Sequence, residues 1–188
     1  MTSFFATGRF IEHENVFRAE NRSEINVRLE NWVQLVQSFN VSLDKAALIA
    51  AVLGELANNC FDHNLAKWTD SVGCLISFDF LPDRIRIAVA DRGQGIANSL
   101  RNVIPNVSSA RDLLSIAFEQ VVSGRSPERR GNGLKFVRRS FLENDGIGLV
   151  CLSNEVWYEL GDCTKLQAES KGLIGSVGTL TVIDWKRI

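Results

Sequence analysis

The chain has 188 residues, of which 45% are hydrophobic and 23% charged, with a formal net charge of -1. These values predict one globular domain and argue against direct binding to nucleic acid or an anionic membrane. The longest apolar stretch, Ala46 to Leu53, is too short to cross a bilayer, and the N-terminus does not read as a signal peptide. The four cysteines form no CxxC pair, so we expect reduced, buried thiols in a cytoplasmic protein.

The first half of the chain predicts a short extension, two helices and a hairpin. Residues 1–24 follow no clean period and hold at most one strand. Residues 24–39 read as a helix with a broad apolar face that includes Val27 and Leu35. Ser42 can cap a second helix that runs to about residue 63. Segments 73–80 and 85–90, joined by a Pro-Asp turn, predict an antiparallel hairpin.

The second half predicts two more helices and three more strands. A polar, irregular stretch runs from Gly95 to Pro105, and Ser108 can cap a helix over 109–122. A loop precedes a helix that begins at Gly133. Strand candidates follow at 148–153, 156–160 and 179–185. Strands that cluster after helices favour an α+β fold, a two-layer α/β sandwich with helices on one face of a mixed, mostly antiparallel sheet.

A polar stripe marks the end of the second helix. Glu55, Asn59 and Asp62 are spaced i, i+4 and i+7 and share one face of an otherwise apolar helix. A buried carboxylate and amide need partners, and magnesium takes one or two protein oxygens together with phosphate oxygens. We therefore predict that the Asn59 oxygen holds Mg²⁺; the alternative is a stripe exposed to solvent.

A glycine loop follows the second strand of the predicted hairpin. Asp91 ends the strand, and Gly93 and Gly95 lack the Cβ atoms that would keep a flat ring from the backbone. A buried carboxylate at this point can accept a hydrogen bond from the exocyclic amine of adenine, whereas guanine presents a carbonyl at that edge. The alternative is an ordinary Asp-Xaa-Gly turn after a strand.

A third segment opens the helix that begins near residue 133. Gly131, Asn132, Gly133 and Leu134 would place free N–H groups at a helix N-terminus, where phosphate binds well, and Arg130 adds positive charge. The glycine pair alone is weak evidence. The segment is neither a Walker A loop nor a Rossmann fingerprint, because it lacks the Lys-Ser/Thr pair and no strand precedes it.

In this order, the three segments resemble the signature of the GHKL ATPases, a superfamily that includes gyrase, heat-shock chaperones, histidine kinases and mismatch-repair proteins. The resemblance runs from about residue 25 to the C-terminus and implies a Bergerat-type ATP-binding fold with ATP and Mg²⁺ as ligands. It implies that residues 97–130 form the ATP lid. It also implies that Asn59 holds Mg²⁺, that Asp91 and Thr179 contact adenine, and that Asp62 is the acidic position common in the chaperone-like branch.

Within the superfamily, the chain is most similar to the stand-alone anti-sigma-factor serine kinases. A further transducer domain or a phosphoacceptor hairpin is not expected, because the sequence around the three segments is too short for either. The resemblance implies a protein partner, a sigma factor or its antagonist, and allows a homodimer. Glu55 would align the acceptor hydroxyl. Two alternatives remain open: an ATP-hydrolysing switch in which Glu55 orients water, and a non-catalytic ATP-binding module that acts by protein contact.

Overall fold

The computed structural model describes residues 16–62, 64, 67–70, 72–120, 132–163, 166 and 173–186. Within these residues the helices are α1 (Arg22–Ser38), α2 (Leu43–Asp62), α3 (Ile96–Leu100), α4 (Ala110–Glu119) and α5 (Gly133–Leu142). The strands are β1 (Val16–Ala19), β2 (Cys74–Phe80), β3 (Arg84–Asp91), β4 (Ile147–Ser153), β5 (Val156–Gly161) and β6 (Thr179–Lys186). The predicted α+β class is therefore confirmed.

The strands form one six-stranded sheet in the order β1-β2-β3-β6-β4-β5. Every pairing among these strands is antiparallel. The predicted hairpin is β2–β3, in which Leu81 N–H donates to the Arg84 carbonyl at 2.9 Å. The last strand of the chain inserts between β3 and β4, and this arrangement brings the C-terminal end of β3 beside the start of β6.

The helices cover one face of the sheet, as the sequence predicts. A single hydrophobic cluster contains buried residues from all five described helices together with alternate residues of the strands, such as Ile76, Val89 and Cys151. The intervening strand residues, such as Leu75, Ala90 and Leu152, form a second cluster on the opposite face with Cys163 and Leu166. Burial on both faces explains why β4 is apolar along its length instead of alternating.

The helix boundaries follow from their caps. Asn21 caps α1, since its Oδ1 accepts from Glu24 N–H at 3.1 Å while the Glu24 carboxylate accepts from Glu20 N–H at 2.9 Å. The helix therefore begins at Arg22, two residues earlier than the sequence predicts. The broad apolar face of this helix is partly wrong: Ile25, Trp32 and Val36 are buried, but Val27 is 61% exposed and Leu35 45% exposed.

Two further expectations need correction. The stretch predicted to be irregular after Gly95 contains α3, because Ile96, Ala97 and Leu100 repeat at helical spacing and bury their side chains in the core. Ser109 rather than Ser108 caps α4, its hydroxyl accepting from Asp112 N–H at 3.2 Å. That helix ends at Glu119, three residues before the predicted end.

The described part of the predicted N-terminal extension contains a strand of the sheet and the start of α1. Val16–Ala19 pairs with β2 as an edge strand, and Ala19 is fully buried. The four cysteines are free and buried, as predicted. No helix in the described parts of the chain combines the length and apolar character needed to cross a membrane.

Candidate functional site

The site lies where β3, β6 and β4 end together on the helix-covered face of the sheet. Asp91 of β3 stands opposite Thr179 of β6, and Thr179 stands opposite Ser153 of β4. Residues directly opposite in an antiparallel ladder project from the same face. Two residues further along, Val89 and Thr181 form the next pair on this face. The sheet therefore supplies a floor with carboxylate and hydroxyl groups.

The C-terminal part of α2 passes over this floor. A small pocket of about 20 Å³, partly open to solvent, lies between the helix and the strands. Its lining comes from α2, β3 and β6, from the starts of α3 and α5, and from the segments that follow α2 and β3: Leu56, Asn59, Cys60, Asn64, Val89, Asp91, Gly95, Ile96, Leu134, Thr179 and Thr181. The fold thus brings parts of all three predicted segments, and Thr179, to one cavity.

Asp91 is the buried charge of the pocket, with a residue exposure of only 3%. Its Oδ1 accepts from Gly93 N–H at 2.8 Å and from Asn64 Nδ2 at 2.9 Å. The Cys60 thiol and the Thr179 hydroxyl also hydrogen-bond the carboxylate. Burial raises the pKa of Asp91 to about 6, although these four hydrogen bonds favour the ionised form and oppose the increase.

Asn59 faces the pocket with an unsatisfied polar atom. Its Nδ2 is buried and has no hydrogen-bond partner in the structure, which is costly for an amide. Rotation of the amide by 180° about the Cβ–Cγ bond exchanges Nδ2 and Oδ1, so the same position offers a donor to phosphate or an oxygen to a cation. A bound ligand would satisfy this group.

The residues around Asn59 fit Mg²⁺ bound together with a polyphosphate. No group of three or more His, Cys, Asp or Glu side chains among the described residues is arranged to hold a metal alone. Magnesium nevertheless needs only one or two protein oxygens when phosphate and water supply the rest. Asn59, one helical turn after Glu55 on α2, could supply such an oxygen.

Glu55 lies against the N-terminus of α5. A Cβ added to Gly133 would come within 2.4 Å of the Glu55 Oε2 atom, so the carboxylate occupies the space that any other residue would fill. Asn132 precedes the helix without capping it through its side chain, and Leu134 reaches the pocket. Arg130 and Gly131 lie outside the described residues.

Asp62 follows a different course from Glu55 and Asn59. It forms an ion pair with Arg22 at the start of α1 and is not among the residues that line the pocket. In the structure, therefore, its carboxylate ties the end of α2 to α1. Its predicted role in nucleotide binding remains a prediction.

The structure contradicts the expectation that Gly93 and Gly95 leave room for a flat ring near the backbone. A Cβ on Gly93 would come within 1.8 Å of the Asn64 side chain, and one on Gly95 within 2.3 Å of Asn154 Nδ2. The space that these glycines leave is therefore occupied by two asparagine amides of the protein, not kept open for a ring. Gly95 also has a φ of +81°, which favours glycine, and it still lines the pocket.

Three polar residues that were not predicted from the sequence hold this loop: Asn64, Ser153 and Asn154. Asn64 Oδ1 accepts from Gln94 N–H at 3.0 Å, and Asn154 Nδ2 donates to the Gln94 carbonyl at 2.8 Å. Ser153 Oγ accepts from Ile96 N–H at 2.8 Å. Asn154 gives only a weak signal in the sequence, as an asparagine between two strands, a place where the left-handed conformation is common. The other two give none.

The described part of the predicted ATP lid contains two helices, α3 and α4, joined by a mostly exposed segment. Leu113, Leu114 and Phe118 of α4 are fully buried, and the Phe118 ring stacks on Tyr158 of β5 with centroids 4.4 Å apart. Residues 121–130 lie outside the described residues. The lid assignment of 97–130 therefore remains a prediction, and α3 and α4 within it contribute buried side chains to the core.

No known family model matches the chain. A search of curated proteins also gives no match.

Proposed function

We propose that the chain is an Mg-ATP-binding signalling module. One observation carries the proposal: Asn59, Asp91, Leu134 and Thr179, which come from four separate elements, line a single pocket. Each has the chemistry that one part of Mg-ATP requires. A buried carboxylate and an unsatisfied amide both destabilise the fold. A cavity that arose only from imperfect packing would not need to be lined by these groups.

The end of the pocket at Asp91 suits adenine. A carboxylate that is 3% exposed can accept a hydrogen bond from an exocyclic amine in place of the weak Cys60 thiol donor. Apolar side chains from α2, β3 and α3 (Leu56, Val89 and Ile96) line the same pocket and can contact the faces of a ring. Guanine would direct a carbonyl oxygen at the carboxylate, so we expect the pocket to discriminate against it.

The other end suits phosphate and magnesium. The N-terminus of α5 presents backbone N–H groups that the Asn132 side chain does not cap, and the Nδ2 of Asn59 has no hydrogen-bond partner in the structure. Glu55 stands beside Gly133 at this helix start. When bound, Mg²⁺ would neutralise phosphate charge, and Asn59 is the residue we assign to hold it.

For activity, we propose a stand-alone protein kinase of the anti-sigma-factor type. The γ-phosphoryl group would move from the terminal bridging oxygen of ATP to a serine hydroxyl oxygen of the partner, and ADP would leave. Glu55 would align that hydroxyl and take its proton. Phosphoryl transfer depends mainly on positioning, so this small set of residues suffices. The partner would be a sigma factor or its antagonist, the compartment the cytoplasm, and a homodimer is compatible with this role.

ATP hydrolysis is the second candidate activity. The position of Glu55 against the N-terminus of α5 would serve to orient a water molecule as well as a serine hydroxyl. In that case binding and hydrolysis would switch the conformation of the protein. The same carboxylate carries both candidates, so only the acceptor separates them.

Titration calorimetry with ATP, GTP and each nucleotide without Mg²⁺ tests the binding proposal. We expect ATP to bind more tightly than GTP and to bind more tightly with Mg²⁺. The absence of ATP binding at millimolar nucleotide would overturn the proposal. Incubation with γ-labelled ATP then separates the activities: label on a partner's serine supports the kinase, free phosphate from the isolated chain supports the hydrolase, and neither outcome leaves a binding module.

A further inference from the structure

Asn64 is a buried polar residue immediately beyond the end of α2. It is 2% exposed, and its side chain uses both of its polar atoms. Nδ2 donates to the Cys60 carbonyl at 2.8 Å and to Asp91 Oδ1 at 2.9 Å, while Oδ1 accepts from Gln94 N–H at 3.0 Å. One amide thus joins the end of a helix, the carboxylate of the pocket and the backbone of the glycine loop.

The hydrogen bond from Asn64 decides which carboxylate oxygen remains for a ligand. Asn64 Nδ2 and Gly93 N–H both donate to Oδ1 of Asp91, and a carboxylate oxygen accepts about two such bonds. Oδ1 is therefore filled by the protein. Oδ2 remains for the rotatable Thr179 hydroxyl and the weakly donating Cys60 thiol, and a ligand amine can take the place of the thiol.

A second asparagine holds the same loop from the opposite side. Asn154 Nδ2 donates to the Gln94 carbonyl, and Asn154 Oδ1 accepts from Gly178 N–H at 3.0 Å. Both asparagines therefore fix Gln94, but only Asn64 touches Asp91. Asn154 has a φ of +51°, a conformation that glycine adopts without strain. The chain thus offers a matched pair of variants that weaken the loop with and without disturbing the carboxylate.

We propose that Asn64 is a positioning residue for nucleotide binding, which holds Oδ1 of the Asp91 carboxylate and thereby keeps Oδ2 available to accept an amine. This inference rests on the proposed function. Asn64 itself is surrounded by protein groups and makes its contribution through Asp91. Its loss should therefore alter how affinity depends on pH, an effect that a merely structural residue would not produce.

The titratable groups that face Asp91 determine whether its own titration can be measured separately. The described titratable neighbours are three thiols: Cys60 on α2, Cys74 opposite Asp91 on β2, and Cys151 on β4. Burial and neighbouring groups raise the pKa of Cys60, with the Cys74 hydrogen bond as the largest cause, and burial raises the pKa of Cys151 to about 12. Both thiols stay neutral between pH 5 and pH 8, where Asp91 changes charge.

The test compares Asn64→Leu, a substitution of similar shape without the amide, with Asn154→Gly. ATP affinity is measured by calorimetry from pH 5 to pH 8 on folded protein, with thermal unfolding as the check on folding. In the parent protein, affinity should fall as the pH drops through about 6, the pKa of Asp91. Loss of the Asn64 donor should raise that midpoint by about one pH unit, which weakens binding about tenfold at pH 5 and about twofold at pH 7. Asn154→Gly should leave the midpoint unchanged.

Equal pH midpoints in the parent and Asn64→Leu would overturn the inference, as would an equal shift in both variants. If the leucine variant does not fold, Asn64→Ala replaces it. Carboxyl carbon NMR of Asp91 without nucleotide gives a second readout that does not need ATP. An unmoved Asp91 titration in Asn64→Leu defeats this inference, whereas a failure of the parent to bind ATP defeats the proposed function and leaves the NMR result to decide the role of Asn64.

Discussion

The two ends of the pocket differ in how completely the protein satisfies its own polar groups. Around Asp91, the described residues supply four hydrogen-bond donors, and Asn64 and Asn154 fix the loop that follows. Around Asn59, a buried amide nitrogen has no partner in the structure. Glu55 there lies against Gly133 at the start of a helix whose N-cap side chain makes no bond.

This difference indicates that the two ends of the pocket have different roles in ligand binding. Preorganised groups recognise a ligand at little entropic cost, so the Asp91 end is suited to select the base. Unsatisfied groups gain most when a ligand arrives, so the Asn59 end is suited to respond to metal and phosphate. Substitutions at the two ends should therefore separate affinity from turnover.

The largest effect is expected for Glu55→Gln, which keeps the shape of the side chain and removes its charge. Turnover should fall about 10²- to 10⁴-fold, the range typical for loss of a group that transfers a proton. ATP affinity should change little, because Glu55 belongs to the reacting end. Steady-state assays and calorimetry on the same sample give the two numbers. Glu143→Gln, at a surface glutamate paired with Arg139, is the matched control. Parent-like turnover in Glu55→Gln would make Glu55 structural.

The next effect is expected for Asp91→Asn. A charge-assisted hydrogen bond contributes about 1.5–3 kcal/mol, so ATP affinity should fall roughly 10- to 150-fold. Turnover of the ATP that still binds should be affected less than in Glu55→Gln. Calorimetry at pH 7.5 measures the loss. Near-normal affinity would contradict the assignment of adenine to this end of the pocket.

Asp91 also makes the stability of the fold depend on pH. Because its pKa is raised from 3.8 to about 6, its contribution to the free energy of unfolding is most favourable below pH 3.8 and is lost as the pH rises through about 6. Asp91→Asn cannot ionise, so its stability relative to the parent should improve by about 2–3 kcal/mol between pH 4 and pH 7.5. Urea unfolding of both proteins at the two pH values measures this change. Parallel pH profiles would contradict the raised pKa.

The sequence allows the class of the fold and part of the pocket lining to be predicted, but not the residues that support the pocket. Periodicity and caps predicted the hairpin and four of the five described helices, and the spacing of Glu55 and Asn59 placed both on one side of α2. The pairing of β6 between β3 and β4 depends on contacts between distant segments, which no local pattern encodes. For the same reason Asn64, which joins Asp91 across 27 positions, left no signal in the sequence.

A smaller effect is expected for Asn59→Ala. The substitution removes the orphan amide, so the free protein should be no less stable, while the gain in ATP affinity on adding Mg²⁺ should shrink about tenfold. Asn58→Ala, at the adjacent position on the same helix, is the matched control, because Asn58 does not line the pocket. Calorimetry with and without Mg²⁺ gives the ratio. An unchanged metal dependence in Asn59→Ala would remove Asn59 as the magnesium ligand.

The smallest effect is expected for Gly133→Ala, which adds one methyl group at the boundary between binding and chemistry. The new Cβ would meet Glu55 Oε2 at 2.4 Å, but that atom ends a flexible side chain that can turn away. Alanine also favours the helix, so the free energy of unfolding should stay the same or rise by up to about 1 kcal/mol. We expect turnover to fall a few-fold with ATP affinity and its pH midpoint unchanged, since Asp91 is untouched. If instead affinity falls as much as in Asp91→Asn while turnover holds, the two ends of the pocket do not act separately.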